Sequence, residues 1–195
     1  MRIMILVVLI ATGCTHVFDG SKTNRILFDS SCTSLPQIDN LTTALQGAVA
    51  DYAEAGINFD TAPNDFFNYS DPIIWIVCPD ENNLGEYEVD GGPTTYTLGE
   101  YNYFTGEVSI SRMFLNNYPV KSYITLLEHE LFHAIKGVHV TDENAVMYPS
   151  IAAWGNTKVL GPTDYGQLCF LCPGIKACEP KYNIGSLWPD INLDE

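Results

Sequence analysis

Basic residues are scarce in this chain of 195 residues, which has nine lysines and arginines against 24 aspartates and glutamates. The net charge of −15 at pH 7 argues against binding to nucleic acid or anionic lipid, because clusters of positive charge recognise both. Internal repeats and low-complexity tracts are also missing. The 46% hydrophobic and 12% aromatic content is typical of a globular fold, and the length suits one domain.

Long apolar runs are missing as well. The N-terminal run, residues 3–11, has nine apolar residues, too few for a membrane span of about 20. With Met1-Arg2 before it and Thr12-Gly13 after it, this run predicts that residues 1–13 are an export signal. The protein is therefore expected outside the cytoplasm, with the folded domain in residues 24–195.

Two processing routes fit the end of the signal. Ala11-Thr12-Gly13 before Cys14 resembles a bacterial lipobox, in which Cys14 becomes the lipidated first residue and residues 14–23 form a polar tether. The same small residues also fit cleavage by an ordinary signal peptidase. The lipid route is favoured, and it provides the only membrane attachment that we expect.

Hydrophobic periodicity predicts an α+β domain. Pro119 is expected near the start of one helix, and the polar tail after Cys178 is expected to wrap the surface. The predicted strands are Arg25–Phe28, Ile73–Val77 (buried on both faces) and a hairpin or two short strands within Thr94–Ser111 around Thr105-Gly106. The predicted helices are Gln37–Ala55 closed by Gly56, Pro119–His133, and Thr163–Leu171, with a turn at Asn144–Pro149.

Histidine is rare too, yet three of the four histidines stand within the eleven residues from His129 to His139. His129 and His133 are four residues apart, so both imidazoles lie on one helix face and can reach one metal ion. His139 is the expected third ligand, which leaves a fourth position open as in catalytic zinc sites. Glu130, next to His129, is placed to take a proton from a metal-bound water.

The stretch from His129 to His139, followed by Met147-Tyr148-Pro149, resembles the zinc signature and methionine turn of the metzincin metallopeptidases. The sequence Ala145–Pro149 is most similar to the matrixin branch. The resemblance implies that His129, His133 and His139 are zinc ligands, that Glu130 is the general base, and that Met147 forms an apolar floor beneath the metal. It implies a metzincin-like catalytic domain with a twisted, mostly parallel sheet, and a structural Ca²⁺ site is compatible with it but not indicated.

One position departs from that family. Lys136 stands three residues after His133, where the family has a glycine, and Gly137 follows. Lysine there has to adopt a positive φ at some cost or let the helix continue by one residue. If the helix continues, Asp142 and Asp164 are the fallback third ligands. Under the favoured interpretation, changing Lys136 to glycine together with Gly137 to alanine should be tolerated.

The six cysteines predict disulfides in an exported chain, three pairs if Cys14 is not lipidated. Cys169 and Cys172 with nearby Cys178 are expected in structural bridges rather than a second zinc site. Cys78-Pro79-Asp80 invites comparison with the inhibitory cysteine switch of matrixin propeptides. Its spacing from His129 argues against that role, so Cys78 is predicted to end a core strand in a protein without a pro-domain.

These observations favour an exported zinc-dependent metalloendopeptidase acting on protein or peptide substrates. Substrate is expected to lie along an exposed strand of the Thr94–Ser111 region. Tyr148, Ile151 and Trp154 are candidates for an apolar specificity pocket, or else core residues. The alternatives are a surface binding protein that retains zinc without turnover, a zinc amidase acting on cell-wall peptide, and an exported lipoprotein without metal.

Overall fold

The computed structural model describes residues 24–61, 73–80, 84, 86–88, 94–149 and 158–179. The predicted export signal, the tether and the tail after residue 179 lie outside this part of the chain. The described residues form an α+β fold with a mostly parallel five-stranded sheet, as the sequence predicts. No helix in the described ranges combines the length and the apolar character needed to cross a bilayer.

The main sheet has the strand order β2-β1-β3-β7-β6. The seven strands of the described ranges are β1 Asn24–Phe28, β2 Phe59–Asp60, β3 Ile73–Val77, β4 Glu86–Glu88, β5 Thr94–Tyr96, β6 Gly99–Asn102 and β7 Glu107–Ile110. Strands β2, β1, β3 and β7 pair in parallel, whereas β6 pairs antiparallel with β7. Among the described strands, β6 is therefore an edge of the main sheet, and β4 and β5 form a separate antiparallel pair.

Within the described residues, five α-helices accompany the sheet, with a 3₁₀ helix at Lys176–Cys178. The helices are α1 Ser30–Thr33, α2 Ile38–Ala55, α3 Arg112–Asn117, α4 Val120–Ala134 and α5 Pro162–Leu171. Helix α2 ends where predicted, at Gly56, whose φ of +95° is a conformation that costs glycine little. Helices α2 and α4 pack against each other, and the buried Tyr52 hydroxyl of α2 donates a 2.6 Å hydrogen bond to the Glu128 carbonyl of α4.

The prediction for Ile73–Val77 was right about the strand and wrong about its burial. Ile74 and Ile76 are buried, but Trp75 between them is 37% exposed. The side chains of a strand alternate between its two faces. The buried residues of α2 and α4 join the same core as Ile74 and Ile76, so only that face is fully covered.

Helix α3 was not predicted. Ser111 begins it, because the Ser111 hydroxyl oxygen accepts a 3.1 Å hydrogen bond from the backbone N–H of Phe114. Serine in this position is a common start signal for a helix. The sequence prediction had placed Ser111 at the end of the preceding strand, and six residues give too short an apolar pattern to reveal the helix.

Two disulfides, Cys32–Cys78 and Cys169–Cys178, join described residues. No described cysteine carries a free thiol, which agrees with bridges rather than a second metal site. Cys78 follows β3 directly and is buried, as predicted for the end of a core strand. Its bridge spans a sequence separation of 46 residues. Closing a loop of that size stabilises the fold by about 4 kcal/mol, because the bridge lowers the entropy of the unfolded chain.

Candidate metal centre

Helix α4 carries two of the three predicted ligands. Pro119 stands at its N-cap, where the missing backbone N–H costs no helical hydrogen bond. The helix is buried over most of its length, so the His129 and His133 side chains point into the protein rather than into bulk solvent. Their four-residue spacing places both imidazoles on one face, as predicted.

The three predicted histidine ligands converge on one point. The Nε2 atoms of His129, His133 and His139 are 3.2 Å apart in each of the three pairs. Zinc bound tetrahedrally at 2.0–2.1 Å would separate such nitrogens by roughly 3.3 Å. This cluster could hold a metal ion, and an all-imidazole set suits zinc, copper, iron or nickel.

Backbone carbonyls fix the tautomers of two of these rings. His129 Nδ1 lies 2.8 Å from the Val146 carbonyl oxygen, and His133 Nδ1 lies 3.0 Å from that of Gly137. A carbonyl only accepts, so each Nδ1 carries the proton and each Nε2 presents a lone pair to the centre of the cluster. Two lone pairs 3.2 Å apart repel each other unless a cation lies between them.

Burial keeps the imidazoles in the form that binds metal. It lowers the pKa of His129 to about 3, with His133 adding to the effect. It also lowers the pKa of His133 to about 4, and His139 contributes further. Both rings are therefore neutral at pH 7, as a metal ligand must be.

The turn after α4 brings His139 to the other two ligands. The helix ends at Ala134, and Lys136 adopts a φ of +66°. Of the two conformations open to Lys136, the chain takes the left-handed one, and the helix does not continue. Gln167 of α5 holds the next segment, because its side chain bonds the Val138 N–H at 2.8 Å and the Val138 carbonyl at 3.0 Å.

Neither fallback ligand reaches the cluster. The carboxylate of Asp142 accepts hydrogen bonds from the Thr163 hydroxyl at 2.5 Å and the Asn144 N–H at 2.9 Å. That of Asp164 accepts from the backbone N–H groups of Val146, Met147 and Gly161 at 3.1, 3.3 and 2.9 Å. Both carboxylates therefore support loop structure, and His139 is the third member of the site.

The turn that contains Val146 and Met147 orients one of the three imidazoles. Met147 is fully buried, and its carbonyl oxygen accepts a 3.1 Å hydrogen bond from the Val140 N–H. The preceding residue, Val146, supplies the carbonyl that orients His129. Asp164 holds both turn residues through their N–H groups. Sequence reasoning missed this role, although an acidic residue two positions after Pro162 is typical of a helix start.

The predicted pocket residues are only partly described. Tyr148 is half-buried, and the Lys158 ammonium lies 5.2 Å from the centre of its ring, a cation–π distance. Ile151 and Trp154 lie outside the described residues. The specificity pocket stays a prediction.

Glu130, the predicted general base, is only 3% exposed. Burial raises the pKa of its carboxyl to about 8, and Glu100 of β6 adds to the rise.

Tyr103 is a neighbour of the three-histidine cluster that the sequence did not predict. The Tyr103 hydroxyl lies 3.5 Å from His133 Nδ1, and the Tyr103 ring packs edge-on against Tyr101. Tyr103 follows the edge strand β6, which therefore runs beside the metal centre.

Glu128 was also missed. It is fully buried, and neither of its carboxyl oxygens makes a hydrogen bond of good geometry with a described residue. Burial raises the pKa of Glu128 to about 10, and Asp51 of α2 adds to the rise. In the sequence, Glu128 looked like one more acidic residue of a helix, since its burial follows from the packing of α2 on α4.

We expect Glu128→Gln to stabilise the fold. A carboxyl whose pKa rises from its usual 4.5 to about 10 on folding contributes stability that is fully present below pH 4.5 and is lost as pH rises toward 10. The amide avoids this loss, so the variant should gain about 1–3 kcal/mol at pH 8 and less at pH 5. Urea unfolding at both pH values measures the gain, with the exposed Glu143→Gln as control. A variant less stable than the parent at pH 8 contradicts this assignment.

The surroundings of Gly137 argue against the expected tolerance to restoring the family spacing of glycine. A Cβ on Gly137 would lie 1.9 Å from Phe132 Cδ1 and 2.9 Å from Gln167 Oε1. Gly137 therefore has no space for a side chain, and the expectation that the double change Lys136→Gly with Gly137→Ala is tolerated was wrong. Lys136→Gly alone should be tolerated, because Lys136 occupies a conformation that glycine adopts freely.

The two single variants should therefore shift stability in opposite directions. Lys136→Gly removes left-handed strain of about 1–2 kcal/mol at an entropic cost of about 0.5–1 kcal/mol, so it should stabilise the fold slightly. Gly137→Ala should destabilise it by about 3 kcal/mol through overpacking. Thermal unfolding of both proteins checks the pair, and a lower midpoint for Lys136→Gly than for the parent refutes the proposed strain.

Comparison of the sequence with models of known protein families and with curated proteins gave no match. The case for a function therefore rests on the chemistry of the described residues. The strongest part of this case is the cluster of three imidazoles, which lies beside a buried carboxyl and next to the edge of the sheet.

Proposed function

We propose that this chain is an exported zinc-dependent metalloendopeptidase with a metzincin-like catalytic domain. The observation that carries the proposal is the convergence of three Nε2 atoms at 3.2 Å from one another, with Glu130 next to His129 in the same helix. A site made only to bridge structural elements has no need of the open fourth position that three ligands leave.

His129, His133 and His139 would hold the zinc ion. Zinc bound there would polarise a scissile carbonyl, acidify a water molecule and, through its charge, lower the pKa of Glu130. The carbonyls of Val146 and Gly137 keep two of the ligands in the correct tautomer before any metal arrives.

Glu130 would move the proton. It accepts a proton from the attacking water as the new C–O bond forms, and it delivers that proton to the amide nitrogen as the C–N bond breaks. One water molecule is consumed, and one carboxylate and one amine are released. The burial of Glu130 limits access of other water and so strengthens its electrostatic interaction with a charged neighbour.

Strand β6 is the proposed binding edge for the substrate. It pairs with β7 on one side and forms an edge of the described sheet, so backbone groups on its other side can pair with an extended peptide. Tyr103 beyond its end contacts His133, which brings a peptide on this edge close to the metal centre.

The rival functions differ in turnover and in substrate. A binding protein without turnover is favoured in the sequence by Lys136, which stands where the family has a glycine. His139 nevertheless lies in the cluster. Incubation with unfolded casein and, separately, with a cell-wall peptide amide separates the three functions. Casein cleavage that a chelator abolishes supports the endopeptidase. Cleavage of the amide alone supports the amidase, and zinc binding without any cleavage supports the binding protein.

The proposed location is outside the cytoplasm, with a lipid anchor on Cys14 if that cysteine is not used in a disulfide. The disulfides Cys32–Cys78 and Cys169–Cys178 are consistent with an oxidising compartment. We expect mass spectrometry of the mature protein to find an acylated Cys14 at the N-terminus, and salt washing should leave the protein in the membrane fraction. Cys14→Ser is the control. A mature protein with unmodified Cys14, or with another first residue, means free secretion.

A further inference from the structure

The side of β6 that faces α4 carries residues of very different size. Residues two apart in a strand share a face, so Gly99 and Tyr101 lie on the same side, and Tyr103 beyond the strand end continues the row. Leu126, Glu130 and His133 form the matching row on α4, at the helical spacing of one face. Gly99, the smallest residue of the strand row, lies opposite the Glu130 carboxyl, and Tyr103 lies opposite His133.

The fit between Gly99 and Glu130 leaves no space for a side chain. A Cβ placed on Gly99 would lie 2.6 Å from Glu130 Oε1 and 3.1 Å from Glu130 Cδ. It would also lie 2.7 Å from Leu126 Cδ1. The Glu130 carboxyl therefore packs against the backbone of the edge strand, in the place where a side chain would otherwise be.

The atoms that a methyl group would meet are the ends of two flexible side chains, not backbone. The fold can therefore accept alanine at position 99, provided that those side chains move. Glu130 Oε1 has to move by roughly 0.8 Å to reach an ordinary contact of about 3.4 Å. A misplacement of about 1 Å in a reacting group can reduce the rate on the order of 100-fold.

We propose that Gly99 is a positioning residue for Glu130, and that its missing side chain lets the carboxyl lie against the substrate-binding edge. The inference rests on the proposed function, because the edge strand and the carboxyl have to act on the same peptide. In the proposed complex, the backbone of β6 aligns the peptide and Gly99 keeps the proton acceptor beside that backbone.

Gly99→Ala tests this in the full chain loaded with zinc. We expect a fall in kcat on the order of 100-fold, with zinc affinity, measured by competition with a chelator, within a few-fold of the parent. Gly47→Ala is the matched control, because its Cβ would also meet a flexible side-chain end of α4, Ile124 Cδ1 at 3.2 Å, but not Glu130. A kcat for Gly99→Ala close to that of the control overturns the proposal.

A second measurement does not depend on activity. The loss of unfolding free energy caused by Gly99→Ala is compared in the parent and in Glu130→Ala, which removes the carboxyl that the methyl group would meet. We expect a clearly smaller loss in the Glu130→Ala background, whereas additive effects of the two changes overturn the proposal. If the parent hydrolyses nothing, the proposed function fails, and this comparison still decides whether Gly99 and Glu130 share the space.

Discussion

Replacing His139 with alanine is expected to abolish stoichiometric zinc binding. The Nε2 atoms of the other two histidines, 3.2 Å apart, would remain, but two protein ligands rarely hold zinc against a competing chelator. We expect the loss of affinity to exceed the 10–100-fold that follows from changing a hydrogen-bond partner of a ligand. The zinc content after dialysis and a chelator competition titration measure the effect.

Asp142→Ala is the control for this prediction. Asp142 lies close in sequence and was the alternative ligand, but its carboxylate bonds Thr163 and Asn144. The variant should therefore retain zinc and lose some stability. His129→Ala and His133→Ala should behave like His139→Ala. Zinc retention in His139→Ala together with zinc loss in Asp142→Ala would show that Asp142, and not His139, is the third ligand.

Glu130→Gln is expected to keep zinc and to lose nearly all hydrolysis. Glutamine has the shape of glutamate, so the buried site should remain packed, but its amide cannot accept the proton of the attacking water. General acid–base catalysis contributes about 10²–10⁴-fold to a rate, and the loss of kcat/KM should fall in that range. Cleavage of a fluorescent peptide, with the zinc content measured on the same sample, checks both parts.

The exposed Glu143→Gln is a suitable control for the loss of one negative charge. It should change kcat/KM by less than a factor of about two, since Glu143 is exposed and surface substitutions have small effects. An activity of Glu130→Gln within a few-fold of the parent would remove Glu130 from the mechanism.

Local patterns account for what the sequence predicted correctly. The long helix Ile38–Ala55 shows apolar residues at helical spacing and ends at a glycine with positive φ. The two ligands of α4 follow from the four-residue spacing alone. The structure brings the third, His139, to them through a short turn. Each of these inferences needed only residues close together in the chain.

Contacts between distant segments account for what the sequence missed. From the sequence, alanine looked acceptable at Gly137. The close approach of Gly137 to Phe132 and Gln167 depends on how α5 packs near the end of α4, which the sequence does not show. The same holds for Asp164, whose three backbone partners lie in another loop and at its own helix start. Trp75 is exposed because of which sheet face the helices cover, and a strand of five apolar residues does not carry that information.

The most direct test of the account is a titration of metal-free protein with zinc, in which casein hydrolysis is followed at each addition. The three-imidazole site predicts no hydrolysis without metal, a linear rise of the rate with added zinc, and a plateau at about one zinc ion per chain. His139→Ala should show no rise over the same range. Hydrolysis by the metal-free protein, or a zinc-loaded protein that leaves casein and peptides intact, would contradict the assignment of a catalytic zinc centre.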